Sequence, residues 1–492
     1  MQGKIQDLQL QFENKTPIQV KAAFWFVICN FLVKGISFIT APLFTRVLST
    51  EDYGTVAIFS SYQQVILIFA TLELSLGAYT KGYLKFKDRI AEFTSNLVVL
   101  SNVVTIICFI VFIFFKNIFF RLTGVSFVSV LLMFVLFLVQ PSYQCWMYRK
   151  RYNYEYKKVV ILTIMSSAAS ALFPLTAVMY VHNSAETKIV STLAVGIVFA
   201  LPFYVTSLFH GGIVRDKGFF AKTSFFCLKF QLPLVMHSLS FLILGQSDRM
   251  MIGWMVNKSA AGIYSVAYSL ATVVSIFQSS MNQVFQPYRY QKMEAGDVNA
   301  IKNTTNSLLL VFAGLNFCFI LIAPEVIKLL FPSDFYEAVW VIPPVSVGIY
   351  FAFLYSVFVD VESYYEKTKY VMYASLVCAV MNIILNYFGI GIFGYIACAY
   401  STLISYILFA VMHYIFMKKT CSDRDIKEKY FDIKVIVLIS IVFTASGIGL
   451  SFLYQKVMIR YIILTVICAV VFINRKIIIR LFNVKLNEVQ KR

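Results

Sequence analysis

Runs of about 20 apolar residues follow one another along this chain, each broken by a short charged patch. As a helix rising about 1.5 Å per residue, such a run crosses a hydrocarbon core of roughly 30 Å. About fourteen runs are read, near residues 22–43, 55–77, 95–115, 122–144, 159–181, 188–209, 226–251, 261–285, 306–331, 337–358, 369–388, 391–416, 433–453 and 458–479. The fold class expected is therefore an all-α polytopic membrane protein. Composition agrees: 59% of residues are hydrophobic and only 14% charged, against about 45–50% apolar and 25% charged in soluble domains. A membrane barrel would show alternating segments of about ten residues, and this chain does not.

The charges test the count. With the N-terminus inside, the loops expected on the cytoplasmic side and the two terminal segments hold 31 of the 43 Lys and Arg. The opposite loops hold eight, from Arg46 to Arg460. This asymmetry is the positive-inside pattern, and it favours an even span count with both termini cytoplasmic. The net charge of +19 then reflects topology and anionic headgroups, not nucleic-acid binding, because the cations are scattered over many short loops. The polar segment Met1–Lys21 lacks the apolar core of a cleavable signal. No phosphate-binding Gly-rich loop and no zinc-binding H-E-x-x-H occurs, so ATP hydrolysis and metal catalysis are not expected. The cysteines lie mostly in apolar runs without metal-ligand spacing and read as packing residues.

Two polar pinches resemble each other. "VLSTEDYGTVAIFSS" follows the first span and "MVNKSAAGIYSVAYS" the seventh, and their Gly54 and Gly262 stand 208 positions apart. Six spans separate them, so two halves with the same orientation are expected, a parallel repeat about an axis along the membrane normal. Any tight helical hairpin also favours Gly and small polar residues, which is the other reading of the match. The division expected is residues 1–215 for spans one to six and 216–420 for spans seven to twelve. Residues 421–492 would hold two added spans and a tail.

At this point the chain resembles the polysaccharide flippases, Wzx-type transporters of O-antigen and capsule repeat units in the multidrug/oligosaccharidyl-lipid/polysaccharide (MOP) exporter superfamily. The residues are "FITAPLFTRVLSTEDYGTVAIF", "LPLVMHSLSFLILGQSDRMMIG", and the segment around spans eleven and twelve with Lys367, Thr368, Lys369, Asn382, Asn386, Gly391 and Gly394. The resemblance implies a MATE-like fold of two lobes that opens alternately inward and outward in the bacterial cytoplasmic membrane. It implies translocation of an undecaprenyl-pyrophosphate-linked oligosaccharide to the outer leaflet, with no cofactor and no covalent chemistry. The partners it implies are that lipid-linked substrate, membrane lipid and the polysaccharide polymerase machinery. Two alternatives stay open: a multidrug or cation antiporter of the same superfamily, and a membrane polysaccharide polymerase. The first would want acids at the midplane, the second a large outer loop.

Charge within a span costs about 2.5–3.5 kcal/mol at a helix centre on insertion scales, so each such residue needs a reason. Lys34 lies near the middle of the first span, with Asn30 and Ser37 on the same helical face. That stripe suits a wet cleft and an anionic head group; a structural pair with a neighbouring carboxylate is the other reading. Arg249 is a candidate for receiving the head group, and Asp248 and Glu73 for a coupling ion or proton. Glu73 is placed in the inner third of span two. His237 is a candidate proton relay or a hydrogen-bonded packing residue. Asp360 and Glu362 are expected in a solvated loop after span ten, and Glu325 and Lys328 as a local pair.

Overall fold

The computed structural model describes residues 18–367, 369–424, 426 and 429–473, without the side chains of residues 19, 20, 23, 237, 272, 468 and 470–473. The N-terminal segment, Thr368, the end of the last expected span and the basic tail lie outside the described residues. Among the described residues there is no strand. Among the same residues, thirteen helices are long and apolar enough to cross a membrane. A shorter apolar helix, Val457–Ile473, stands where the fourteenth span is expected.

The helices are α1 Ile18–Val47, α2 Thr50–Thr71, the short α3 Gly77–Lys85, α4 Ile90–Thr123, α5 Phe127–Tyr152, α6 Tyr156–Tyr180, α7 Ala185–Gly211 and α8 Lys217–Met255. They continue as α9 Lys258–Glu294, α10 Val298–Leu330, α11 Ile342–Tyr364, α12 Lys369–Phe393, α13 Ala397–Ser422, α14 Ile433–Gly449 and α15 Val457–Ile473. Polar residues close the connections. Ser49, Ser126, Ser184 and Asp216 each accept a backbone N–H from the first turn of the helix that follows them, which satisfies donors a helix start leaves open. The nearly loopless junction of α12 and α13 turns at Gly394, whose φ of +72° is one that favours glycine.

The chain divides into two compact units, Met1–Ser265 and Val266–Arg492. In the first, α5 packs along α7 and α1 along α6, while α8 runs beside α2, α3 and α4. Its core is aromatic. Phe59, Phe112, Phe119, Phe134 and Phe137 interlock in one cluster, and Tyr79, Phe86, Phe93 and Phe219 in another. In the second unit α11 is the central helix, packed on α10, α13 and α14. It is buried almost from end to end, as a helix apolar all round should be. Most of the eight described cysteines are buried.

The second span ends earlier than expected. α2 stops at Thr71, and both Leu72 and Glu73 take a left-handed φ of +48°. Glu73 therefore stands half-buried in a turn, not within a span. A right-handed helix needs a negative φ, so it cannot continue through these two residues.

Candidate functional site

The first unit gathers the polar residues of the opening pinch. Ser49 caps α2: its Oγ accepts the Asp52 N–H at 3.0 Å and donates to the Asp52 carboxylate at 2.6 Å. The other Asp52 oxygen accepts the Ala185 N–H at the start of α7, at 2.9 Å. Thr50 Oγ1 donates to Ser259 Oγ at 3.2 Å. Gly54 and Gly262 face each other: a Cβ on Gly54 would stand 2.9 Å from the Gly262 nitrogen and overlap the Lys258 carbonyl. The two pinches are thus two sides of one backbone-to-backbone crossing of α2 and α9, of the small-residue kind found in membranes.

Lys34 lies half-buried in the middle of α1. Asn30 and Ser37, on the same face, are exposed. Among the described residues no carboxylate pairs with Lys34, so the structural-pair reading has no support there. Ser37 borders a polar cleft of about 230 Å³ between α1 and α6, with Thr40, Ser166, Ser167 and Ser170.

Asp248 and Arg249 lie within α8, nearly two turns before its end, and engage different groups. Asp248 is fully buried and accepts the Tyr264 hydroxyl of α9 at 2.5 Å. Arg249 Nη1 donates to the Gly245 carbonyl at 3.0 Å and to Gln246 Oε1 at 3.1 Å. Gln246 Oε1 also accepts Ser61 Oγ at 3.0 Å, and its Nε2 donates to Gln64 Oε1 at 3.3 Å. A polar ladder therefore joins α2 to α8, and Ser61, Gln64 and Gln246 were not candidates from sequence. Lone amides and hydroxyls in an apolar run carry no charge signal to single them out. His237 lies in α8; its side chain is outside the described residues.

The second unit holds buried charges that sequence reading misplaced. Asp360 and Glu362 belong to the last turns of α11 and are buried, not in a solvated loop. Two positions along a helix turn the side chain by about 200°, so they meet different neighbours. Asp360 takes Arg289 of α9 through Nε at 2.7 Å and through Nη2, and Gln286 Nε2 at 2.6 Å. Glu362 meets His413 Nδ1 of α13 at 2.9 Å, both side chains fully buried. The far atoms of that pair, Glu362 Oε2 and His413 Nε2, have no hydrogen-bond partner among the described residues. Glu325 does not pair with Lys328. It binds Arg460 of α15 through two bonds of 2.6 and 2.7 Å, because a guanidinium fork fits a carboxylate better than an ammonium one turn away. No group of three or more His, Cys, Asp or Glu that could hold a metal occurs among the described residues.

Comparison with known proteins gives this arrangement its family. The family model described as "Polysaccharide biosynthesis protein" matches residues 19–293, more than half of the chain. The MatE model matches residues 233–388. An Lsg locus protein of Haemophilus influenzae is 23% identical over 371 residues, 71% of this chain and 86% of that protein. Among solved structures, the lipid II flippase MurJ in an inward closed conformation superposes with a TM-score of 0.67 at 16% identity. That match covers 92% of this chain and 99% of MurJ. An inward-facing multidrug resistance MATE transporter of the MOP superfamily follows with a TM-score of 0.60 at 13% identity, covering 80% and 96%. The chain therefore belongs to the polysaccharide biosynthesis protein family and carries the fold of the MOP exporter superfamily.

Proposed function

We propose that this protein is a flippase that moves an undecaprenyl-pyrophosphate-linked oligosaccharide repeat unit from the cytoplasmic to the outer leaflet. The observation that carries the reading is Lys34: a cation in the middle of a membrane span, without a carboxylate partner among the described residues, on a face shared with Asn30 and Ser37. Carrying a pyrophosphate through bare hydrocarbon is prohibitive. A basic, wet path replaces the lost hydration, and a lysine serves as a point-charge phosphate binder. Membership of the polysaccharide biosynthesis family supports a saccharide cargo. The fold of a lipid II flippase supports a lipid-linked one.

Alternating access between lobes 1–215 and 216–420, with 421–492 as the added spans and tail, belongs to the proposal, as do cytoplasmic termini. Arg249 is the proposed receiver of the head group on its outward path. A proton or ion gradient drives the cycle through Glu73, Asp248 and His237, and the chain performs no covalent chemistry.

The test is outward movement of the polyprenyl-pyrophosphate oligosaccharide in proteoliposomes, with imposed gradients, for wild type, Lys34→Ala and Lys34→Arg. Movement that Lys34→Ala abolishes and Lys34→Arg retains in part is the expected result. Movement untouched by Lys34→Ala removes the site and keeps the flippase. No movement under any gradient refutes the flippase and turns the question to cation antiport.

A further inference from the structure

The first unit contains a cavity apart from the Lys34 stripe, about 370 Å³ in volume, between α3, α4, α5 and α7. Two helices face it with regular stripes. α5 contributes Ser142, Trp146 and Arg149, spaced i, i+4, i+7; α7 contributes Thr206 and His210, spaced i, i+4. These spacings put each set on one side of its helix, so the lining follows from the helices' register. Tyr79 and Thr94 close the floor; both are buried, and their hydroxyls are hydrogen-bonded to each other at 3.1 Å. Trp146 is braced by Phe203, ring centroids 4.7 Å apart.

Arg149 begins the basic run that ends α5, and its neighbours are engaged. Lys150 binds Glu155, whose carboxyl is held below the usual range by Lys150 and Lys158. Arg151 lies over the Phe26 ring, 5.6 Å from its centre. Arg149 has no carboxylate partner among the described residues, yet it is half-buried in the cavity wall. Holding a guanidinium there without an anion is unfavourable unless an anion arrives. Beside the α7 lining residues, the same helix carries exposed apolar side chains, Val205 at 41% and Phe209 at 78%. The end of α5 is the one the charge pattern assigns to the cytoplasmic leaflet, where anionic headgroups meet basic pockets between helices.

We propose that this cavity binds the phosphate-bearing headgroup of a membrane lipid, with Arg149 as its anion-binding residue, hydroxyls of α5 and α7 around the phosphate, and the lipid chain lying along α7. The chemistry fits an anionic phospholipid or the polyprenyl phosphate part of a transported lipid. It is a site separate from the Lys34 stripe and does not depend on it.

The experiment is native mass spectrometry of the purified full-length protein, titrated with phosphatidylglycerol or phosphatidylcholine, for wild type, Arg149→Ala, Arg149→Lys and Lys157→Ala. Lys157→Ala removes an exposed cation from the same end without touching the cavity. A charge-assisted, forked contact predicts that Arg149→Ala lowers phosphatidylglycerol retention about tenfold. Arg149→Lys, with matched thermal stability to show that the protein folds, should lose part of that retention. Lys157→Ala should leave it unchanged. Equal retention of the two lipids by wild type, or an equal loss in Lys157→Ala and Arg149→Ala, overturns the site as diffuse charge. Inorganic phosphate that competes as well as the lipid overturns the lipid assignment. Competition by undecaprenyl phosphate separates the two sources: displacement of phosphatidylglycerol at lower concentration assigns the site to the transported lipid, and its failure assigns it to bilayer phospholipid. Both outcomes support a lipid-phosphate site. The readout is retention, so its result is independent of whether Lys34 governs movement.

Discussion

Alanine at Gly54 should destabilise the first unit far more than its single methyl group suggests. The new Cβ would overlap the Lys258 carbonyl and stand 2.9 Å from the Gly262 nitrogen. Ordinary contact for carbon begins near 3.4 Å and the Lys258 oxygen lies only 1.8 Å from the added Cβ, so α2 and α9 must shift by more than about an ångström at the crossing. The obstructing atoms are main chain and cannot be relieved by a rotamer change. Overpacking of this kind costs about 3 kcal/mol at the upper end of its usual range, offset by about 1 kcal/mol of helix propensity gained over glycine. The net loss is about 2 kcal/mol, or an apparent Tm lowered by roughly 4–8 °C for a unit of this size. Gly262→Ala meets the Thr50 carbonyl in the same way and should behave alike. Gly314→Ala, on α10 with no atom within 4 Å of the added Cβ, should be neutral or stabilising. The assay is thermal unfolding of the purified protein followed by residual monodisperse material. A Gly54→Ala protein as stable as Gly314→Ala would refute the close crossing.

Two further outcomes follow from buried and capping charges. Arg289→Ala or Asp360→Asn leaves its partner buried without its opposite charge, which should cost about 3–5 kcal/mol. The joint Arg289→Met, Asp360→Leu protein should recover most of that loss in apparent Tm, and single variants that unfold no earlier than the joint one would contradict the pair. Asp216, ahead of α8, accepts the Phe219 N–H and the Arg89 guanidinium, in that order of influence, and its carboxyl is held below the usual range. A depressed folded-state value gives stability that is present above the unfolded value of about 3.9 and lost as pH falls through the lower folded value. Asp216→Asn should therefore flatten the acid limb of stability below about pH 4; an unchanged acid limb would count against it.

How much of this was legible in the sequence differs from residue to residue. The helices corresponding to the expected spans were readable because insertion into hydrocarbon depends on the apolar content of one segment at a time. The junction of α12 and α13 was read at residues 388–391, in a stretch that leaves almost no loop, and turns instead at Gly394. Lys34, Asn30 and Ser37 were legible as a stripe for the same local reason. The end of α2 was not, because Leu72 continues the apolar run and hydropathy does not register a left-handed backbone. Asp360 and Glu362 were placed in a loop because charge alone suggests solvent, while burial depends on what meets each one.

The sequence by itself determined the class of solvent, the approximate placing of the membrane-crossing helices, and which patches turn between them. These follow from local apolar content and from capping residues. The partners of the buried charges were decided by tertiary structure alone. Glu325 met Arg460 across 135 positions, Asp360 met Arg289 across 71, and Glu362 met His413 across 51. The same holds for Gly54, whose likeness to Gly262 was visible in sequence but whose contact with it was not. Helices that are apolar nearly all round leave no periodic stripe to say which face meets which neighbour. That choice is made only when the backbones pack closely enough for one glycine to require another.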